Sequence, residues 1–215
     1  MRDILKYTLL PLFLFQACSD EIKKEKFDID WIYSDEGRMV GASYNTAWIN
    51  DNTMYLMDMR KPKEERTLLK MNPSLSMKMV PVVDSEKISK SILSAVGRTD
   101  TSMYIEWPSS FSSTGNHGIY FFEEDIYMLD VPNESYRRVT NTKSEEKAAR
   151  FSPDGKKISF VRENDIYIYD IRTQKEKRIT FSGSETNLNG TVSWVYWEEI
   201  FGRKDLGYWW SDDSK

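Results

Sequence analysis

The sequence predicts an all-β chain built from propeller blades of about 40 residues, an open and partial propeller, with one short helical insertion near residues 192–202. Three observations carry this: a strand motif that repeats at a fixed offset, a turn signal between the copies, and a departure from the period at one place. The repeat comes first. Residues 124–130 (EDIYMLD) lead to Arg138-Val139-Thr140, and residues 164–170 (NDIYIYD) lead to Arg178-Ile179-Thr180. Asp125 to Asp165 and Thr140 to Thr180 are both 40 positions apart. Both copies are rich in β-branched and aromatic residues with the alternation of half-buried strands. Ser152-Pro153-Asp154-Gly155 lies between them, with Pro and Gly at the positions a type I turn favours. One such small sheet cannot cover both its faces, so neighbouring blades must stack.

Other traces of the period are fainter. Residues 119–122 precede residues 158–161 by 39 positions, and residues 53–58 (TMYLMD) stand 72 before the strand opened by Asp125, close to two blades. Residues 210–215 (WSDDSK) parallel residues 151–156 (FSPDGK), but no strand follows them. The chain is therefore expected to stop in mid-blade.

Composition narrows the function classes. Among 215 residues, 30 Lys and Arg face 34 Asp and Glu, and 13% are aromatic. That is the balance of a folded domain. A formal charge of −4 offers no basic field for nucleic acid, and that partner is excluded. No G-x-S-x-G elbow, phosphate-binding glycine loop or zinc-ligand spacing occurs, so no catalytic residue, cofactor or metal is assigned. His117, the sole histidine, reads as an ordinary turn residue beside Gly115 and Gly118.

The first residues read as an export signal: Arg2 and Lys6 precede the apolar run 7–15 (YTLLPLFLF). As a helix that run reaches about 14 Å, too short for a bilayer core of about 30 Å. Residues 14–18 (LFQAC) resemble the lipobox of bacterial lipoproteins, with Phe15 where that motif prefers Leu. The resemblance implies lipid attachment at Cys18, the sole cysteine, and an exported protein of the cell envelope, facing the periplasm or on the cell surface. The expected organisation is a signal peptide over 1–17, a tether and lead-in over 18–44, and a partial propeller over 45–215.

The departure from the period carries the chemistry. Phe151 to Trp210 is 59 positions, 19 more than one blade, and the excess falls around residues 190–201 (GTVSWVYWEEIF). Insertions into a repeat unit project from one face and often bind a ligand. In a regular strand neighbouring side chains point to opposite faces, so Glu198 and Glu199 converge only on a helical turn. Adjacent carboxylates repel one another, and a bound ammonium relieves that repulsion. Glu-Glu at 64–65, 123–124 and 145–146 is expected at solvated strand edges or turns. The aromatics Trp194, Tyr196, Trp197 and Phe201 are expected to pack and hold the insertion in place.

The run W-V-Y-x-E-E-x-F, then Tyr208-Trp209-Trp210-Ser211, resembles the double-glutamate segment of the dipeptidyl peptidase IV group within the prolyl oligopeptidase family. The D-I-Y strand, Arg178-Ile179-Thr180, Asn189-Gly190 and residues 47–51 (AWIND), similar to that family's first blade, agree with it. The resemblance implies an incomplete propeller capping a downstream α/β-hydrolase domain. It also implies Glu198 and Glu199 as the residues that hold a peptide's free α-amine. The implied activity is a serine exopeptidase releasing N-terminal di- or tripeptides of Xaa-Pro or Xaa-Ala type, with peptide N-termini and the membrane as partners. A homodimer of the full-length form is compatible with it. One feature departs: the Arg that many members place before the D-I-Y strand, to bind substrate carbonyl, is missing where Phe122-Glu123-Glu124 runs straight into Asp125. The alternative is a non-catalytic, TolB-like propeller module of the envelope, which also uses S-P-D-G turns but leaves the insertion unexplained.

Overall fold

A computed structural model describes residues 28–50, 52–99, 102–202 and 204–215, without the side chains of residues 38 and 50. The expected signal segment and Cys18 lie outside the described residues. The chain divides into two compact units, residues 1–38 and 39–215. In the first, the short helix α1 (Ile29–Tyr33) is capped by Asp28, whose carboxylate accepts from the Trp31 N–H at 2.7 Å. Helix α2 (Asp35–Gly41) follows, so the expected lead-in is partly helical.

The second unit is a row of three four-stranded antiparallel sheets, each in simple up-and-down order. Blade A comprises β1 (Tyr44–Asn50), β2 (Thr53–Asp58), β3 (Leu69–Asn72) and β4 (Ser76–Pro81). Blade B comprises β5 (Ser110–Phe111), β6 (His117–Phe122), β7 (Asp125–Asp130) and β8 (Ser135–Arg138). Blade C comprises β9 (Glu146–Phe151), β10 (Lys157–Arg162), β11 (Asp165–Asp170) and β12 (Lys175–Arg178). The 40-residue repeat therefore pairs β7 with β11, the third strand of each blade. The trace at residues 53–58 is corrected: it forms β2, a second strand, not a third. Between it and β7 lie the last two strands of blade A, a helix and the first two strands of blade B, so the 72 positions hold no extra blade. Alternating hydrophobicity alone does not say which strand of a sheet a segment forms.

Two turns explain why the repeated strands start where they do. Glu123 and Glu124 have φ of 50° and 71°, and Glu163 and Asn164 have 51° and 62°. Positive φ at both central residues is the two-residue type I′ turn, whose twist matches antiparallel strands. The turn runs straight into Asp125 and Asp165, and both are buried. A second family of turns is triplicated. Gly115 N–H donates to Ser112 O at 2.8 Å, Gly155 to Ser152 O at 2.8 Å and Ser214 to Ser211 O at 2.9 Å. Each donor residue has positive φ, 72°, 69° and 62°. Residues 211–214 thus form the same turn as residues 152–155, as their sequence predicts, and touch it: the Asp154 N–H donates to Ser214 Oγ at 3.0 Å.

Blade faces alternate as stacking requires. Tyr120, Tyr127 and Leu129 of blade B join Tyr55, Met57 and Leu68 of blade A in one core. Ile119, Ile126 and Met128, on the opposite face, join Ile158, Phe160 and Phe151 of blade C in the other. Helix α3 (Ser85–Val96), which the strand pattern does not predict, buries Ile88 and Ile92 in the first core. Its limits follow simple rules: Asp84 caps the N-terminus and Gly97, at φ 78°, closes the C-terminus. Ser91 Oγ accepts the Tyr136 N–H of β8 at 2.7 Å, which satisfies an outer-strand donor.

Two expectations for individual residues change. His117 opens β6 rather than sitting in a turn, and burial pushes its imidazole pKa down. Glu146 is not solvated. Its carboxylate accepts from Arg162 Nε at 2.6 Å and from the hydroxyls of Thr140 and Thr142, each at 2.8 Å. It is the partner that brings Arg162 into the blade B–blade C junction. Glu64, Glu65, Glu123, Glu124 and Glu145 are exposed, as expected.

Candidate functional site

The excursion begins after a clasp that the repeat builds in each blade. In blade B the buried Asp125 carboxylate pairs with Arg138 and accepts the Thr142 N–H at 3.0 Å. In blade C Asp165 pairs with Arg178 and accepts from Thr180 Oγ1 at 2.6 Å and the Gly183 N–H at 3.1 Å. It also accepts from Asn189 Nδ2 at 2.9 Å. Burial pushes the Asp165 carboxyl up, but the hydrogen bonds from Thr180, Arg178, Asn189 and Gly183 outweigh it and hold the pKa at about 2. The D…R-x-T repeat is therefore a buried charge clasp joining the third strand, the fourth strand and the exit loop. Its spacing is legible in the sequence; its burial is not.

Asn189 follows blade C as Glu146 follows blade B: each begins the segment after a fourth strand and its exit loop. The Glu146 N–H donates to Glu124 O at 2.9 Å, and the Asn189 N–H to Asn164 O at 2.9 Å, one repeat later. This equivalence locates the extra residues. Glu146 to Asn189 is 43 positions against a period of 40, and Asn189 to Ser211 is 22 against the 6 from Glu146 to Ser152. Three added residues thus precede Asn189 and sixteen follow it. The excursion therefore interrupts the segment that is equivalent, one repeat later, to β9. Thr191 falls opposite Ala148 by this count, and Ala148, at φ 53°, marks a register shift in β9.

A short stem closes the bulge. Thr191 and Leu206 form an antiparallel bridge. The Val192 N–H donates to Asp205 O at 3.2 Å, and the Gly207 N–H to Gly190 O at 2.9 Å. Gly190 is buried at φ 86°, and a Cβ there would stand 2.7 Å from Val161 Cγ2 and Ile166 Cγ1. Gly190→Ala is expected to destabilise the chain by about 2–3 kcal/mol, through both strain and overpacking, as measured by urea unfolding. On the returning side Tyr208 Oη donates to Ala148 O at 2.6 Å, and burial pushes its phenol up to about 12.

Between the two sides of the stem the chain turns as a π-helix over Tyr196–Ile200. The Phe201 N–H donates to Tyr196 O at 2.9 Å, the wider i to i+5 bond. Glu198 and Glu199 lie on this one turn, and both are exposed. The helical insertion expected near residues 192–202 is thus present, and the two carboxylates the sequence singled out share it. The aromatic frame differs from expectation. Trp194 is 70% exposed and Tyr196 53%, while Phe201 lies 6.4 Å from Trp209, itself 71% exposed. The stem, not aromatic packing, holds the turn.

Beside the returning side of the stem is a cleft of about 530 Å³ lined by Glu123, Glu124, Glu145, Lys147 and Asp205. Glu123 and Glu124, on one side of this cleft, form the type I′ turn that leads straight into β7, so no added residues precede that strand. Arg98 pairs with Glu123 there. Among the described residues no group of His, Cys, Asp and Glu is placed to hold a metal ion.

Residues 110–215 match the family model described as the dipeptidyl peptidase IV (DPP IV) N-terminal region. Among solved structures, the chain is similar to dipeptidyl peptidase 4 of Porphyromonas gingivalis at 21% identity and a TM-score of 0.59, covering 88% of this chain and 26% of that one. It is also similar to TolB of Acinetobacter baumannii at 19% identity and a TM-score of 0.40, covering 66% and 33%. The chain thus spans about a quarter of the length of the first and a third of the second. No curated protein matches it.

Proposed function

We propose that this chain, whose residues 110–215 match the dipeptidyl peptidase IV N-terminal region, is the propeller part of a serine exopeptidase releasing N-terminal di- or tripeptides of Xaa-Pro or Xaa-Ala type. Glu198 and Glu199 hold the substrate's free α-amine. The observation that carries the reading is the π-helical turn, which sets two adjacent carboxylates on one exposed loop at the end of a hydrogen-bonded stem. An ammonium has three donors, and two neighbouring carboxylates can take two of them while neutralising its charge. A clamp fixed to a rigid blade counts from the chain terminus, because the distance from the amine to the scissile bond is then set by the backbone. The hydrolytic residues belong to a domain outside this chain.

The test is cleavage by the complete protein. Chromogenic Xaa-Pro substrates with a free amine are expected to be hydrolysed and their N-acylated counterparts spared; equal rates on both would overturn the amine clamp, and no hydrolysis of either would favour a TolB-like binding module. We also propose an export signal cleaved before Cys18, with lipid on that residue. Cys18→Ala is expected to abolish incorporation of labelled palmitate and release the protein from the membrane fraction. Labelling that persists in the variant would exclude the anchor.

A further inference from the structure

We infer that Asn189 is a positioning residue for the Glu198–Glu199 turn, coupling the excursion to the buried carboxylate of blade C. The inference rests on the amine-clamp reading above and adds to it the residue that fixes where the clamp stands. Asn189 begins the segment that the excursion interrupts, one residue before the stem. Its backbone N–H is bonded to Asn164 O, and its side-chain amide donates to Asp165 Oδ1 at 2.9 Å and to Ser182 Oγ at 3.1 Å. The next residue, Gly190, accepts the Gly207 N–H that closes the far side of the stem. The path from Asp165 to both sides of the excursion is therefore two residues long.

The preceding repeat shows why an amide is needed. After blade B the equivalent residue is Glu146, whose carboxylate is turned to Thr140, Thr142 and Arg162. In blade C the equivalent threonine, Thr180, donates to Asp165 itself, so the clasp carboxylate already stands where a second one would come. Only a donor fits. An aspartate at 189 would set an oxygen against Asp165 Oδ1, and two close carboxylates cannot both stay ionised without cost. The charged groups around this point are Arg178, paired with Asp165; Glu163, near Arg178; and Glu145 and Lys147 across the cleft that reaches Thr191 and Asn164. Arg178 is already engaged, and Lys147 pairs with Glu145 at 2.9 Å.

Asn189→Asp in the complete protein is the test, because it is isosteric and its defect depends on a proton. At pH 8, KM for a free-amine Xaa-Pro substrate is expected to rise about tenfold with kcat unchanged; at pH 5.5 the shared proton restores the hydrogen bond and the ratio to wild type falls to about twofold. Asn189→Ala is expected to raise KM equally at both pH values. On the present chain, Asn189→Asp is expected to speed amide exchange at Val192 and Gly207 relative to wild type at pH 8 and less at pH 5.5. A KM unchanged by Asn189→Asp, while the double Glu variant raises it, overturns the inference and leaves the clamp standing. A KM indifferent to the double Glu variant, with pH-dependent exchange in Asn189→Asp, removes the clamp and leaves the anchoring role. Exchange at Val192 and Gly207 that is the same in variant and wild type overturns the anchoring.

Discussion

Glu198→Gln and Glu199→Gln together are expected to lower kcat/KM of the complete protein for free-amine Xaa-Pro substrates by about two orders of magnitude, with melting temperature unchanged. Both side chains are exposed on the π-helical turn, so neither contributes burial to the fold, and the amide keeps their size. What changes is charge. A hydrogen bond between ions is about twice as strong as one between neutral groups, and the substrate loses two of them at once. Each single variant is expected to retain part of the effect, because one carboxylate still faces the ammonium. The loss is expected mainly in KM, since the amine is held in ground state and transition state alike. An N-acylated substrate offers no cation, and its slow turnover should not change. Kinetics of the three variants and the wild type on the paired substrates decide the matter; a double variant with wild-type KM would mean that Glu198 and Glu199 contact no amine.

Glu146→Ala is expected to cost about 3–5 kcal/mol of folding stability, the largest single effect among the acidic residues of blades B and C. Its carboxylate is fully buried, and the Arg162 side chain that it pairs with is 11% exposed. Removing the acid leaves a buried guanidinium whose one remaining carboxylate partner among the described contacts is Glu176, at 2.7 and 2.8 Å, and takes from the Thr140 hydroxyl its acceptor. For a chain of this size the melting point should fall by about 10 °C. Glu145→Ala, next to it, is the control. Glu145 pairs with Lys147 at the surface and is expected to change stability by less than about 0.5 kcal/mol. Urea unfolding of both variants separates the outcomes, and equal midpoints would refute the buried network.

The two neighbours illustrate the limit of reading sequence. Glu145 and Glu146 are one dipeptide with one composition, and charged residues are rarely fully buried unless paired. Nothing local marks Glu146 as the one that turns inward. Its partner Arg162 lies sixteen positions away on another strand, and the pairing exists only because β9 and β10 are hydrogen-bonded side by side. Helix α3 is the opposite case. Asp84, the Ile88–Ile92 spacing and Gly97 mark it locally, but the 40-residue strand pattern around it draws attention to strands.

The amino-acid order alone determined the blade period, the two copies of the D…R-x-T motif, the turn shared by residues 152–155 and 211–214, and the helical detour that carries Glu198 and Glu199. These are local matters: residue spacing, backbone preferences at proline and glycine, and the alternation of a strand leave their mark in the chain itself. Tertiary structure decided which strand of a blade each segment forms, that Asp165 and Glu146 are buried ions, and that Asn189 ties the detour to the blade. Those depend on groups far apart in the chain meeting where water is excluded, and a charge withdrawn from water is stable only beside a partner that the rest of the fold delivers.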